Sequence, residues 1–186
     1  MRYEPKKVGK GPELMCLGCF ICAGVMILAS NVKGIAGVGI LQSVAVAFLV
    51  AMIYFAVRFV FTTFRYEIVR RSKSEDAPVK SLAPEKLEMR IFKQQGKRGF
   101  ICENIVCLGD IISFEELPAG RAGRRMLKAA GSGLLFKYKK NLAGGKCWLI
   151  TAKGEEKNLR IVIEINDEGI ELSDYLSAVA RFNNEK

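Results

Sequence analysis

The chain has 186 residues, with 29 Lys and Arg against 19 Asp and Glu, no histidine, and a net charge of +10. Without histidine there is no Ser-His-Asp or Cys-His nucleophile pair and no His-ligated zinc or haem. No G-x-x-x-x-G-K-[ST] phosphate loop occurs either. The six cysteines are too sparse for a disulfide scaffold, and their placement among apolar residues fits a reducing compartment.

Charge is spread unevenly. Residues 14–32 and 34–57 hold no charged side chain, and Lys33 alone separates them. Residues 62–186 hold 23 of the 29 bases and 17 of the 19 acids. The pattern predicts a basic N-terminus over 1–13, a two-helix transmembrane hairpin over 14–61 (helices about 14–32 and 37–61), and a soluble domain over 62–186. A helix rises about 1.5 Å per residue, so each apolar run can cross a hydrocarbon core of roughly 30 Å. The first run is read as a retained anchor, because it lacks a small-x-small cleavage site. A lipoprotein site at Cys19 fails for want of an aliphatic residue three positions before it.

Orientation follows from the short flanks. Arg2, Lys6, Lys7 and Lys10 precede the first run, and Arg58, Arg65, Arg70, Arg71 and Lys73 follow the second, against Lys33 alone between them. The positive-inside rule then puts both termini and the soluble domain in the cytoplasm, at the plasma membrane. Tyr54, Phe55, Phe59, Phe61, Phe64 and Tyr66 are expected as an aromatic cluster at the inner interface, with Arg58 reaching the head groups. In the second run Gly39, Ser43, Ala47 and Ala51 form a small-residue row suited to close helix packing, within the hairpin or between copies. The first run offers Gly18 with Cys22 and Cys19 with Ala23. Cys16, Cys19 and Cys22 spread over an arc of a helix and do not converge on a metal, so they are read as small apolar residues.

From Thr62 the periodicity becomes that of strands. Phe64, Tyr66 and Ile68 alternate with Arg65, Glu67 and Val69, and Leu87, Met89 and Ile91 with Glu88, Arg90 and Phe92. Ser72 to Pro84 reads as a loop. Gly96-Lys97-Arg98-Gly99 is a turn into a third strand, Phe100 to Cys107, and a fourth runs from Ile111 to Leu117. Pro118 to Gly133 reads as a flexible basic connection with at most one helical turn near Met126. Leu134 to Lys140 and Lys146 to Ala152 are expected to form a hairpin around Asn141 to Gly145. Leu159, Ile161, Ile163 and Ile165 make a seventh strand. A final amphipathic helix places Leu172, Tyr175, Leu176, Val179 and Phe182 on one face, with Asp167 or Ser173 as its N-cap.

The membrane exit Phe61-Thr62-Thr63-Phe64-Arg65-Tyr66-Glu67-Ile68, the run Leu87 to Arg98, Leu108-Gly109-Asp110-Ile111-Ile112-Ser113, and the strand Arg160 to Ile165 leading into a helix carry a resemblance. Their order resembles bacterial membrane-anchored pleckstrin-homology-like (PH-like) domain proteins. The resemblance implies a seven-stranded curved sheet or barrel capped by one C-terminal helix. It also implies work by binding, of lipids or peptides; the residues themselves offer no ligand set for a cofactor and no catalytic pair. In eukaryotic PH domains, bases around the first hairpin grip phosphoinositides; Arg70, Arg71, Lys73, Lys86 and Arg90 match that region loosely.

Charge within the domain is lopsided. Residues 121–157 hold ten bases and two acids, whereas 158–186 hold three bases and six acids. Arg121, Arg124, Arg125, Lys128, Lys137, Lys139, Lys140 and Lys146 are therefore the candidate anion or lipid contacts. Phe136, Tyr138 and Trp148 interleave with lysines, as in nucleic-acid binders, but in strands such aromatics belong to the core. The acids Asp110, Glu115, Glu116, Asp167, Glu168, Glu171 and Asp174 offer no nucleophile–base pair, and the last four suit a helix start. The leading expectation is a non-enzymatic integral membrane protein whose tethered PH-like domain holds a protein partner at the membrane. Anionic-lipid sensing through 121–146 and an accessory role in a transporter or membrane-enzyme complex are the alternatives. Homo-oligomerisation through the small-residue row stays open.

Overall fold

A computed structural model describes residues 1–7, 9–32, 37–71, 82–141 and 145–185. The expected turn at Lys33-Gly34, most of the loop over 72–84, and residues 142–144 of the expected hairpin loop lie outside the described residues, as does Lys73.

Two long apolar helices come first, α1 (Gly11–Ser30) and α2 (Val38–Phe55). A single π-helical turn, Ala56–Val60, continues α2, so both are long and apolar enough to cross a membrane. They pack against each other through small residues. Ala23 of α1 and Ala45 of α2 are each 1% exposed, while Ile21, Leu28, Val46 and Val50 stand exposed around them. The Cys16 thiol lies 3.7 Å from the carbonyl of Met52, so that cysteine also sits in the helix–helix seam.

The region that follows is mainly β. Its strands are β2 (Thr62–Arg70), β3 (Leu87–Gln95), β4 (Ile101–Cys107), β5 (Ile111–Leu117), β6 (Leu134–Tyr138), β7 (Cys147–Ala152) and β8 (Leu159–Glu164). All seven fall where the period-2 pattern put them. Alternation is the cause: Phe64, Tyr66 and Ile68 of β2 and Leu87, Met89 and Ile91 of β3 are buried, and their neighbours are not.

Pairing differs from the expected single curved sheet or barrel. The described strands form two four-stranded sheets and no closed barrel: a short strand β1 (Arg2–Tyr3) with β2, β3 and β4 in that order, and β5-β7-β8-β6. The first strand, β1 (Arg2–Tyr3), comes from the N-terminus that the sequence left as a basic flank. It pairs antiparallel with β2, Tyr3 opposite Tyr66. The expected hairpin between β6 and β7 does not form. β7 lies antiparallel between β5 and β8, and β6 runs parallel to β8 at the sheet's end. A parallel partner needs a long crossover; here β7 and the chain on either side of it supply one.

The basic connection is ordered as a helix, α3 (Arg121–Ala129). The final helix, α4 (Ile170–Asn184), follows a 3-10 turn over Asp167–Gly169 and packs against β5. Its N-cap is Gly169, not Asp167 or Ser173; Ser173 is buried inside the first turn and donates to Ile170 O at 2.9 Å. Leu172, Leu176, Val179 and Ala180 are its buried face, and Phe182 is exposed. Asn183 ties the helix end to the turn before β5, donating to the carbonyls of Leu108 (2.8 Å) and Ile111 (2.9 Å). Phe64 and Tyr66 belong to this core, not to an interfacial aromatic belt.

Candidate anion-binding groove

Residues paired across a sheet share a face. On the outer face of the second sheet, Lys137 of β6 lies beside Val162 of β8, which lies beside Leu149 of β7. One step along, Cys147 lies beside Leu117 and Glu164. Helix α3 crosses this face. Between them is a groove of about 590 Å³ with Leu117, Leu127 and Val162 as its apolar lining and Arg124, Lys137, Lys139 and Lys146 as its bases. Glu116 is the acid in the lining.

Two local features hold α3 in place, and a third sets its charge. Gly123 sits so close to the chain at Pro118 that a β-carbon there would lie 2.0 Å from the Pro118 carbonyl oxygen. Arg160, on the outer face of β8, donates from Nη1 to Leu127 O at 2.7 Å and from Nη2 to Gly133 O. This satisfies a carbonyl of the last turn of α3 and sets a cation at the negative end of the helix. Finally, the helical repeat gathers Arg121, Arg124, Arg125 and Lys128 at i, i+3, i+4 and i+7, all exposed, as one basic face.

The far end of the groove rests on a buried carboxylate. Glu164 is 0% exposed. Its Oε2 accepts from the backbone N–H of Lys140 and of Asn141, each at 2.8 Å, and its Oε1 accepts from Asn141 Nδ2. Asn141 Nδ2 also donates to Lys6 O at 3.0 Å, which joins this cluster to the N-terminal segment. Gly145 abuts the same carboxylate, and a β-carbon there would overlap Oε1. The Tyr66 hydroxyl donates to Tyr138 O at 2.7 Å and accepts from Glu164 N at 3.3 Å; full burial pushes its pKa well up.

The eight sequence candidates therefore divide. Arg124, Lys137, Lys139 and Lys146 meet in the groove, and Arg121, Arg125 and Lys128 extend its basic rim along α3. Lys146 also bonds Asp167 at 2.7 Å, which raises its ammonium pKa. Lys140 does not join them. It is half-buried near Glu164, Glu4 and Lys7, and desolvation lowers its pKa. Burial likewise raises the pKa of the Cys147 thiol. Of the bases matched to the eukaryotic phosphoinositide pattern, Arg90 is held by Glu88 at 2.6 Å, and Arg71 donates its backbone N–H to Lys86 O. The acids at the start of α4 are paired too, Glu168 with Lys6 at 2.9 Å and Asp167 with Lys146.

Gly39, Ser43 and Ala47 are exposed and Ala51 is half-buried, so this row is not the seam between α1 and α2. Cys19 and Ala23 do turn inward, whereas Gly18 and Cys22 are exposed. Tyr138 and Trp148 pair in register with residues of the inner face, opposite Lys137, and Trp148 stacks on Phe114 at 4.7 Å between ring centroids. Lysines and aromatics thus do not form one mixed surface. The sequence reading missed Glu164 and Asn141. The available signal was an acid at an outward position of the most apolar strand.

No family model, curated protein or solved structure matches this chain.

Proposed function

We propose that the chain is a membrane protein whose α1–α2 hairpin spans the bilayer, with the N-terminus and the β region on the cytoplasmic side, and that the groove under α3 binds an anionic, partly apolar ligand. No catalytic step is assigned to it. The observation that supports this reading is the convergence of Arg124, Lys137, Lys139 and Lys146 on an apolar floor of Leu117, Leu127 and Val162. A cavity of a few hundred Å³ with an apolar lining and a few convergent polar groups is the usual form of a small-ligand site. The groove's size and lining are those of an anionic amphiphile, with its charge on the rim and its apolar part below. Contact between N-terminal Tyr3 and Tyr66 after α2 favours both segments lying on one side of the membrane. The PH-like assignment rests on the order of seven strands and a final helix; the parallel β6–β8 pair departs from antiparallel hairpins.

The test is calorimetric titration of the full-length chain in neutral detergent with dihexanoyl phosphatidylglycerol and dihexanoyl phosphatidylcholine. Binding is expected for the anionic lipid alone, weakened by salt and by about fivefold or more in Arg124→Glu, since each base near an anionic head group contributes on the order of 1 kcal/mol. Equal binding of the two lipids, or an unaltered Arg124→Glu variant, would refute it.

A second reading, docking of a protein partner, draws on the ends of the two sheets. End strands β4 and β6 expose Ile101, Ile105, Leu134 and Phe136. Such edges are suited to accept an added strand. Chemical crosslinking in native membranes with a photoreactive residue at position 134 tests it; a crosslink confined to lipid would count against this reading.

A further inference from the structure

A second cavity, of about 490 Å³, lies where α2 passes into the β region. Its two walls differ in chemistry. One is the exposed apolar side of the last turns of α2, with Ile53 57% and Val57 45% exposed. The other carries Arg58, Lys93, Glu103 and Lys137. Lys93 is neutralised by Glu103 at 2.8 Å, which leaves the guanidinium of Arg58 and the ammonium of Lys137 as the net charge. Among the described residues neither has an acid within ion-pair distance.

Arg58 is fixed in place before any ligand arrives. Its Nη2 donates to the backbone carbonyl of Lys137 at 2.8 Å, and its guanidinium lies 5.8 Å from the ring centre of Phe59 and 5.3 Å from that of Phe64. One bond uses one of its five N–H donors, so the rest are available to an anion. An apolar wall continuous with a bilayer-spanning helix, beside two cations at its polar end, matches a phospholipid in its natural orientation. Acyl chains would lie along Ile53 and Val57, and the phosphate between Arg58 and Lys137.

We infer that this cavity holds a single anionic phospholipid, an annular site separate from the groove under α3. The inference rests on the reading that α1 and α2 cross the membrane. A zwitterionic lipid fits less well, because its own cation meets Arg58 and Lys137. Lys137 touches both cavities, whereas Arg58 belongs to this one and Arg124 to the groove. Those two residues therefore separate the sites.

The test begins with alkaline carbonate extraction of membranes containing the full chain. Release of the chain would overturn the spanning reading and this site together. For a chain that stays, native mass spectrometry from mild detergent is run with dioleoyl phosphatidylglycerol and, in parallel, dioleoyl phosphatidylcholine. The wild-type chain should retain up to two phosphatidylglycerols, one per cavity; the Arg124→Glu chain, whose groove is disabled, should retain one, at least about fivefold more tightly than phosphatidylcholine. Arg124→Glu alone should keep that preference, and adding Arg58→Gln or Lys137→Glu to it should abolish it. Ile53→Trp, which fills the apolar wall and leaves both charges, should reduce occupancy. Lys137→Glu and Ile53→Trp alter exposed side chains, so they keep the test valid if Arg58→Gln disturbs folding. Equal retention of the two lipids would overturn the site. So would a preference that survives Arg58→Gln and Lys137→Glu when each is added to Arg124→Glu, or one already lost in Arg124→Glu alone.

Discussion

Glu164→Ala is expected to be the most damaging single change in the β region. The carboxylate takes three hydrogen bonds, two from the backbone N–H groups of Lys140 and Asn141 and one from Asn141 Nδ2. The side chain of Asn141 keeps its bond to Lys6 O, but the two backbone donors lose their carboxylate acceptor. A buried donor left unpaired costs about 1–3 kcal/mol, so the pair costs roughly 2–6 kcal/mol, less whatever water regains through the space vacated. For a chain of this size each kcal/mol moves the midpoint by about 2–4 °C, and a loss near 3 kcal/mol lowers it by roughly 6–12 °C. Thermal melting of the full chain in detergent, followed by far-ultraviolet circular dichroism, measures this. Hydrogen exchange supplies a second readout. Because Asn141 bridges Glu164 to Lys6, amides in residues 1–7 should exchange faster in the variant at temperatures well below its melt. A midpoint shift under about 2 °C would refute the satisfied-carboxylate argument. A large shift with unchanged exchange at 1–7 would refute the link to the N-terminal segment.

Gly123→Ala sets two effects against each other. Intrinsic propensity favours alanine in a helix by about 1 kcal/mol, but the new β-carbon would meet the Pro118 carbonyl at 2.0 Å. The clash is with backbone and should win. The expected result is loss of groove ligand with the β core intact, seen as ligand affinity reduced more than tenfold while the melt shifts little. Protonation of Glu4 should loosen β1. Its carboxyl is held below its ordinary pKa, first by a hydrogen bond from Arg2 and also by Arg65, with burial acting the other way. A depressed folded-state pKa gives stability that is present above the unfolded carboxyl value and is lost as pH falls through the folded one. The midpoint advantage of the wild-type chain over Glu4→Gln should therefore be present at neutral pH and vanish on acidification below the ordinary carboxyl range.

Strands β2 and β3 were legible because one face of each is buried. A side chain such as Tyr66 at 1% exposure, flanked by half-buried Arg65 and Glu67, leaves a period of two in the sequence. Partners were not legible. The runs Leu134 to Lys140 and Lys146 to Ala152 around Asn141 to Gly145 suggested a hairpin, whereas β6 pairs with β8, out of chain order. β1 is two residues long, too short for any periodic signal. α3 was obscured by Gly120, Gly123, Gly131 and Gly133, although its bases already repeated at helical spacing. The small-residue row Gly39, Ser43, Ala47 marked one side of α2 as open to close approach. The choice of Ala45 over that row depends on where α1 packs. All four groove bases were legible as composition, but which of the eight candidates meet required the pairing that brings Lys137 alongside Val162.

If α1 and α2 cross the bilayer as proposed, the pairing of β1 with β2 makes the sheet a proofreading device for membrane insertion. Tyr3 and Tyr66 meet in register although both long helices lie between them in the chain. If one helix crossed the bilayer and the other failed to, those tyrosines would end on opposite sides. β2 would keep a bare edge, and the Asn166 N–H would lose the Tyr3 hydroxyl that accepts from it at 2.8 Å. A chain threaded in the wrong sense of crossing number therefore cannot finish its β region. Under that topology, faulty insertion would become an incompletely folded β region.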